Sequence, residues 1–495
     1  MKIRVVNTAS NAKAVQVVKY QNNKRVVVRH FGSCHTEEQL NEMLLVAREW
    51  LNDFEGQLTI FPDDNPNSIL HINYCTFVGV YYSFFYDLIN SIQEHMGLKE
   101  LCHPILSDLV IMRIFEPASK LRSLELLENY FGITRQRKAF YKVASNWLPL
   151  KDDIETRVID FAKKTYSFDF ELIFYDVTTL YFETFEEDDL RKNGFSKDNK
   201  SQQPQILVAL MVSKEGYPIG YEVFPGNTFE GKTIMPTIKS LISKHAIKLF
   251  TVVADAAMIS STNIKELINN KLHYIVGARL GNVTGDLIEQ IDKTLKREEG
   301  HAIRIRTELG DLICSYSAIR YRKDKYEMEK QIEKAKSVIE KKSKNRKIKF
   351  TKAINEEIAL NEDLIQKTQK LLGIKGYYTN IDPLSADNQT IINRYHELYR
   401  VEQAFRIAKT DLQTRPVFHF KEDPIKMHIL ICFMALAISK HIELKTGDSI
   451  RKFITECKKV TEGRMMNHIT NKEIRIRGKL TTKTSEYLSL LVAPH

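Results

Sequence analysis

Between residues 168 and 280 the apolar residues of this chain fall in short unbroken runs. Leu172 to Tyr175 stops at a single carboxylate, Asp176, and resumes with the β-branched Val177, Thr178 and Thr179. A run so apolar predicts a central strand covered on both faces. Ile247 to Asp255, IKLFTVVAD, repeats the design and ends on a second Asp. Gln205 to Ser213 and Tyr217 to Phe224 predict two more strands, joined by the turn Lys214-Glu215-Gly216, and Tyr274 to Ala278 another. The period becomes helical over Thr233 to His245 and Asn263 to Asn270.

On either side the pattern changes. Lys2 to His30 alternates with period two about the polar turn Gln21-Asn22-Asn23, predicting a small β module over 1–35. Helical periods over Glu37 to Leu51 and Tyr81 to Leu101 open a helical domain over 36–165. Within it, Pro117 to Leu127, Tyr130 to Ile133 and Thr134 to Trp147 read as helix, turn and helix. Thr134 is the expected N-cap, with Arg135, Arg137 and Lys138 in the first turn. Cations there oppose the helix dipole unless phosphates lie nearby. A helix-turn-helix reader of DNA and two packed helices with a basic surface both fit.

Beyond the central strands, Ala302 to Arg306 and Leu312 to Ala318 read as β, and Arg320 to Leu372 as a charged helical hairpin broken at Lys341 to Lys349. Its basic tip, with Lys344, Arg346 and Lys347, is either a grip on DNA phosphates or a solvated charge run. Gly376 to Ile381 reads as an edge strand. The segment 280–375 is therefore expected as an insertion between two parts of one core, 166–279 and 376–420. Lys426 to Leu444 and Asp448 to Thr461 predict a C-terminal helical region over 421–495.

A lone Asp at the end of a buried strand costs free energy unless its charge is compensated. A turn cap accounts for one such residue; two on one sheet edge suggest a metal site. A third carboxylate lies on Tyr395 to Leu412, a predicted helix whose stripe is Leu398, Val401, Phe405, Ala408 and Leu412. Tyr395, Glu402 and Lys409 are seven apart and line one edge of it, an arrangement that a solvated face also produces. A competing motif is Gly226 to Thr233, GNTFEGKT, which fits the P-loop pattern and would make the chain a nucleotidase dependent on Lys232. Glu230 counts against it, as a carboxylate where phosphates need backbone N–H groups and positive charge.

In combination, YDVTTLYFE around Asp176, GNTFEGKT, VVADAAM around Asp255 and Y-x6-E-x6-K at Tyr395, Glu402 and Lys409 resemble the DDE transposases of bacterial insertion sequences, specifically the insertion-sequence four superfamily. The resemblance spans about Phe168 to Phe420. It implies an α/β fold with an RNase H-like mixed-sheet catalytic core and an inserted domain. It also implies an endonuclease and strand transferase that moves DNA by cut-and-paste, with Asp176, Asp255 and Glu402 as catalytic residues and metal ligands. Three neighbouring acids repel one another unless cations neutralise them, and oxygen ligation suits two Mg²⁺ or Mn²⁺ ions. Tyr395 and Lys409 would hold phosphates. The family's Arg four residues before the Glu is Leu398 here, which leaves Arg400 or Arg406 to supply that cation.

Composition agrees. A chain of 495 residues exceeds one core. A net charge of +11 favours a polyanionic partner, here double-stranded DNA as terminal repeats and target, bound by an expected homodimer. Cysteines 34, 75, 102, 314, 432 and 457 form no C-x-x-C pair and read as reduced thiols of a bacterial cytoplasmic protein. The start MKIRVVNTAS lacks the apolar core of a signal peptide. A domesticated DNA-binding protein that no longer cuts is the remaining alternative, and the presence of all three acids speaks against it.

Overall fold

The structure, a computed structural model, describes the whole chain except residues 11, 22–23, 55–73, 139–145, 196–201, 246–249, 259, 341–347, 355–356, 469–470 and 493–495. It contains two compact units. One comprises Met1–Tyr86, Asn129–Gly132 and Thr455–Glu486; the other comprises Asp87–Glu128, Ile133–Ile454 and Tyr487–His495.

In the first unit, β1 (Lys2–Asn7), β2 (Lys13–Gln21) and β3 (Lys24–Cys34) form an antiparallel sheet in that order. Its inner face, Val15, Val17 and Cys34, closes against Met43 and Ala47 of the helix Glu37–Phe54. The strand β4 (Cys75–Tyr81) lies in a stretch expected to be helical.

The second unit is mixed α/β and is built on one eight-stranded sheet. Its strands are β5 (Leu172–Tyr181), β6 (Gln205–Ser213), β7 (Pro218–Pro225), β8 (Thr251–Ala254), β9 (His273–Ala278), β10 (Ala302–Thr307), β11 (Gly310–Tyr316) and β14 (Ile374–Thr379), with the hairpin β12 (Thr351–Ile354) and β13 (Glu357–Leu360) outside it. The spatial order is β10-β11-β14-β9-β8-β5-β6-β7. Only β5/β8 and β8/β9 pair in parallel; every other neighbour is antiparallel. All nine residues of β6 are buried, and of the ten in β5 only Asp176 and Tyr181 are not. Such strands need cover on both faces. The helix Ile234–His245 closes one, where Tyr175 Oη and Thr233 Oγ1 hydrogen-bond at 2.6 Å. The helix Tyr399–Arg406 packs on β5 and β6.

Several expectations change. The segment read as an edge strand is β14, which sits inside the sheet between β11 and β9. The runs from 302 to 318 pair onto it and extend the sheet. Of the expected helical hairpin the first arm is the helix Ala318–Glu340, and among the described residues the return is the β12/β13 hairpin followed by the short helix Glu362–Lys370. These pieces share a small core of Met328, Ala335, Phe350, Ile365 and Leu372. The region 421–495 also contains β15 (Glu462–Asn467) and β16 (Lys472–Arg477), and β15 pairs with β4 in the first unit. Its long helix Glu422–Thr446 is apolar and long enough to cross a membrane, yet 94% of that apolar window is buried inside the protein, as befits a core helix.

Candidate active site

β5 and β8 run parallel with Tyr175 opposite Ala254. Asp176 and Asp255 follow one residue further along each, so the two carboxylates leave neighbouring strands, about 4.8 Å apart, at the same level. Asp176 is half-buried and Asp255 exposed at the end of β8. The Asp255 carboxylate is fixed from two sides. Its Oδ1 accepts from the Ala256 N–H at 2.7 Å and from Tyr395 Oη at 3.3 Å.

The Tyr395 contact depends on a glycine. A Cβ placed on Gly277 of β9 would lie 2.6 Å from Tyr395 Oη and 3.2 Å from Ala256. A glycine inside a strand marks such a close approach. Burial, followed by the Asp255 charge, raises the Tyr395 hydroxyl well above its ordinary pKa, so it remains a donor.

The helix expected over Tyr395 to Leu412 is divided. Asn388–His396 ends at Glu397, Tyr399–Arg406 begins after Leu398, and a π-helical turn, Ile407–Asp411, follows. π-turns inside helices recur at functional sites. The predicted stripe packs inward nonetheless: Leu398, Val401, Phe405 and Leu412 are all buried. Glu402 is on the exposed face, and Arg406, four residues on, shares it. Lys409, with Phe405 and Ala408, lines a small cavity whose far wall includes Thr178 and Leu180. Those residues lie on the same face of β5 as Asp176.

The strand expected from Gly376 begins at Ile374, which adds Lys375, a residue outside the expected site. Lys375 Nζ stands 4.7 Å from the centre of the Tyr395 ring and 5.6 Å from that of Tyr377. Burial and the Arg320 guanidinium lower its pKa, while Asp255 and Glu402 hold it up. Lys375 thus sits in the electrostatic field of two of the three candidate acids.

The other cations divide. Arg400 starts its helix beside the β6–β7 turn, with its guanidinium over the Tyr399 ring at 5.2 Å. Leu398, where the family places an Arg, is buried. Of the two substitutes, Arg406 is the one on the Glu402 face. Arg135 gives its Nε to the buried Asp108 at 2.6 Å, a structural task. Arg137 and Lys138 are exposed, residues 139–145 of the expected helix lie outside the described ones, and the Thr134 hydroxyl donates to Glu128 at 3.2 Å. Lys344, Arg346 and Lys347 fall outside the described residues.

The P-loop reading fails on its backbone. The N–H groups of Gly226, Thr228, Lys232 and Thr233 are bonded to Leu190, Pro225, Phe229 and Glu230 carbonyls. A Cβ on Gly226 would lie 2.1 Å from the Gln205 carbonyl, so the loop is packed against protein and forms no phosphate cradle.

Asp176, Asp255 and Glu402 offer oxygen alone, the donor type of hard divalent cations. Among the described residues no three His, Cys, Asp or Glu side chains converge as a ready cage. A paired Asp176 and Asp255 still fits Mg²⁺, which is bound through one or two carboxylates plus water and substrate phosphate.

The mixed sheet thus brings two carboxylates to one level, with an acid-bearing helix packed on its face. Residues 168–438, more than half of the chain, match the family model of the transposase DDE domain, and the chain belongs to that family. Among solved structures, a cryo-EM structure of a piggyBac transposase synaptic complex with hairpin DNA is similar at 12% identity and a TM-score of 0.37, covering 83% of this chain and 77% of that one. No curated protein matches.

Proposed function

We propose that the protein cuts DNA at the ends of a mobile element and joins the freed ends to target DNA, with Asp176, Asp255 and Glu402 as the catalytic acids. The observation that carries this is the equal register of Asp176 and Asp255 on adjacent parallel strands, inside a family-assigned DDE domain. The order β7-β6-β5-β8-β9, with three antiparallel strands followed by two parallel additions, supports an RNase H-like core of the insertion-sequence four type.

Asp176 and Asp255 are the residues to hold a divalent cation, with Glu402 completing the set when substrate binds. A Mg²⁺ or Mn²⁺ pair there would supply Lewis-acid stabilisation of the phosphoryl oxygens. The chain itself supplies position. Tyr395 orients the Asp255 carboxylate, and Arg406 and Lys409 hold phosphates on either side of the bond to be broken. Water opens one phosphodiester to leave a 3′-hydroxyl and a 5′-phosphate. That hydroxyl then attacks a target phosphodiester, so one P–O bond replaces another and no external energy is needed. Cut-and-paste movement by a dimer, in a bacterial cytoplasm, is the setting we assign to it.

A labelled DNA fragment that carries the gene with its native flanks, incubated with the protein and Mg²⁺ or Mn²⁺, tests this. Cutting at discrete flanking positions by the wild type and none by Glu402→Gln is expected. Specific binding without cutting by the wild type in either metal would leave a DNA-binding protein and remove the catalytic reading.

A further inference from the structure

A cleft of about 500 Å³ opens beside the candidate site, between the end of β9, the start of β14 and the helices Ala318–Glu340 and Glu362–Lys370. Five cations line it: Arg279, Arg320, Lys349, Lys367 and Lys375. Its two carboxylates are already engaged. Asp324 pairs with Arg320 at 3.3 Å and accepts the Gly373 N–H at 3.2 Å, and Glu327 faces Lys323 at 3.9 Å. Lys367 is tied to the Val283 carbonyl at 3.2 Å. Arg279, Arg320 and Lys349 are exposed at the mouth. The inner end is Lys375, which lies against the ring of Tyr395, and the Tyr395 hydroxyl reaches Asp255. One side chain therefore separates the floor of the cleft from a candidate catalytic carboxylate.

A concavity of this volume with an excess of positive charge suits a polyanion, and its size suits one or two nucleotides better than a whole duplex. We propose that this cleft seats the phosphodiester backbone of one DNA strand as it enters the catalytic site, with Arg279, Arg320 and Lys349 as outer contacts and Lys375 as the innermost. The inference rests on the reading of Asp176, Asp255 and Glu402 as the place where DNA is cut. Of these four cations only Lys349 belongs to the basic stretch the sequence singled out, Lys341 to Lys349. Contacts of this kind carry no base specificity; they hold the strand in register.

The test is DNA binding by fluorescence anisotropy, with Ca²⁺ in place of Mg²⁺, over a range of salt concentrations and with both native-flank and scrambled DNA. The triple variant Arg279→Gln, Arg320→Gln, Lys349→Gln is expected to bind both DNAs about 10- to 100-fold more weakly at 0.1 M salt. Its log–log salt slope should be shallower by about 2 to 3, roughly one per lost phosphate contact. A control triple with the same charge change, Lys330→Gln, Lys334→Gln, Lys336→Gln, uses exposed lysines of the same helix that do not line the cleft, and is expected to bind within about twofold of wild type. In single-turnover cutting at saturating DNA, Lys375→Gln should lose activity that Lys375→Arg restores in part. Equal losses in the two triples, or none in the cleft triple, would overturn the proposal. If the wild type cuts no DNA yet the cleft triple alone loses affinity, the transposase reading falls and the cleft stands only as a DNA-binding groove, not as an entry to a catalytic site. If the wild type cuts and the cleft triple binds and cuts like it, the cleft falls alone.

Discussion

At the scale of single residues, the site is arranged by what its neighbours lack as much as by its acids. Tyr395 reaches Asp255 because Gly277 has no side chain. Gly277→Ala would put a Cβ only 2.6 Å from the hydroxyl, moving the tyrosine away from Asp255 while changing buried volume by only one methyl. We expect a folded protein, DNA affinity within about threefold of wild type and cutting slowed about 10- to 100-fold, the loss typical of a misplaced catalytic group. Normal single-turnover cutting by this variant would show that the Tyr395 contact is incidental. Asp176 and Asp255 are legible in the sequence because each interrupts or ends a run too apolar to carry a charge without a reason. Lys375 and Gly277 are not legible, since their meaning lies in β14 and β9 becoming neighbours across about a hundred residues of chain.

At the scale of elements, local pattern names most strands and fails where context decides. β5 to β9 follow from apolar runs and turn residues. β14 looks like an edge strand from its own six residues; only the pairing of β11 and β10 beyond it makes it interior. The break between Tyr395 and Glu402 leaves no mark in the periodicity, because the buried stripe carries through it. The end of that helix is held from below. Arg113 donates to the Leu412 and Gln413 carbonyls at 3.5 and 3.4 Å, and His428 Nε2 lies 2.9 Å from the Thr414 carbonyl. Positive charge at a helix C-terminus is favourable, but the crowding has a consequence for pH. Burial, with Lys120 and Arg113 nearby, lowers His419 to about 3, and burial with Arg113 lowers Lys120 to about 7. Both groups bind protons more weakly folded than unfolded. Stability from His419 is therefore present above about 6.5 and lost as pH falls toward 3, and the Lys120 contribution rises with pH between about 7 and 10.5. In urea denaturation, Lys120→Met should flatten the alkaline rise and His419→Gln should flatten part of the acid loss. Unchanged pH profiles in both variants would show that this cluster is not coupled to folding.

At the scale of the whole molecule, the net charge of +11 favours a polyanionic partner, and all three candidate acids lie in the second unit. Composition predicts the partner's charge but not the path it takes, because the five cleft cations come from five separate stretches of the chain. The central claim is that Asp176, Asp255 and Glu402 act as one group on one phosphodiester. Residues that act as a unit lose nearly everything at the first removal. The direct measurement is the single-turnover cutting rate of Asp176→Asn, Asp255→Asn and Glu402→Gln, alone and combined, on the same flanking DNA at saturating protein. Each single variant is expected to fall about 10³-fold or more and to equal the triple, with DNA binding retained. A single variant that keeps cutting within about tenfold of wild type, or losses that multiply through to the triple, would contradict the account.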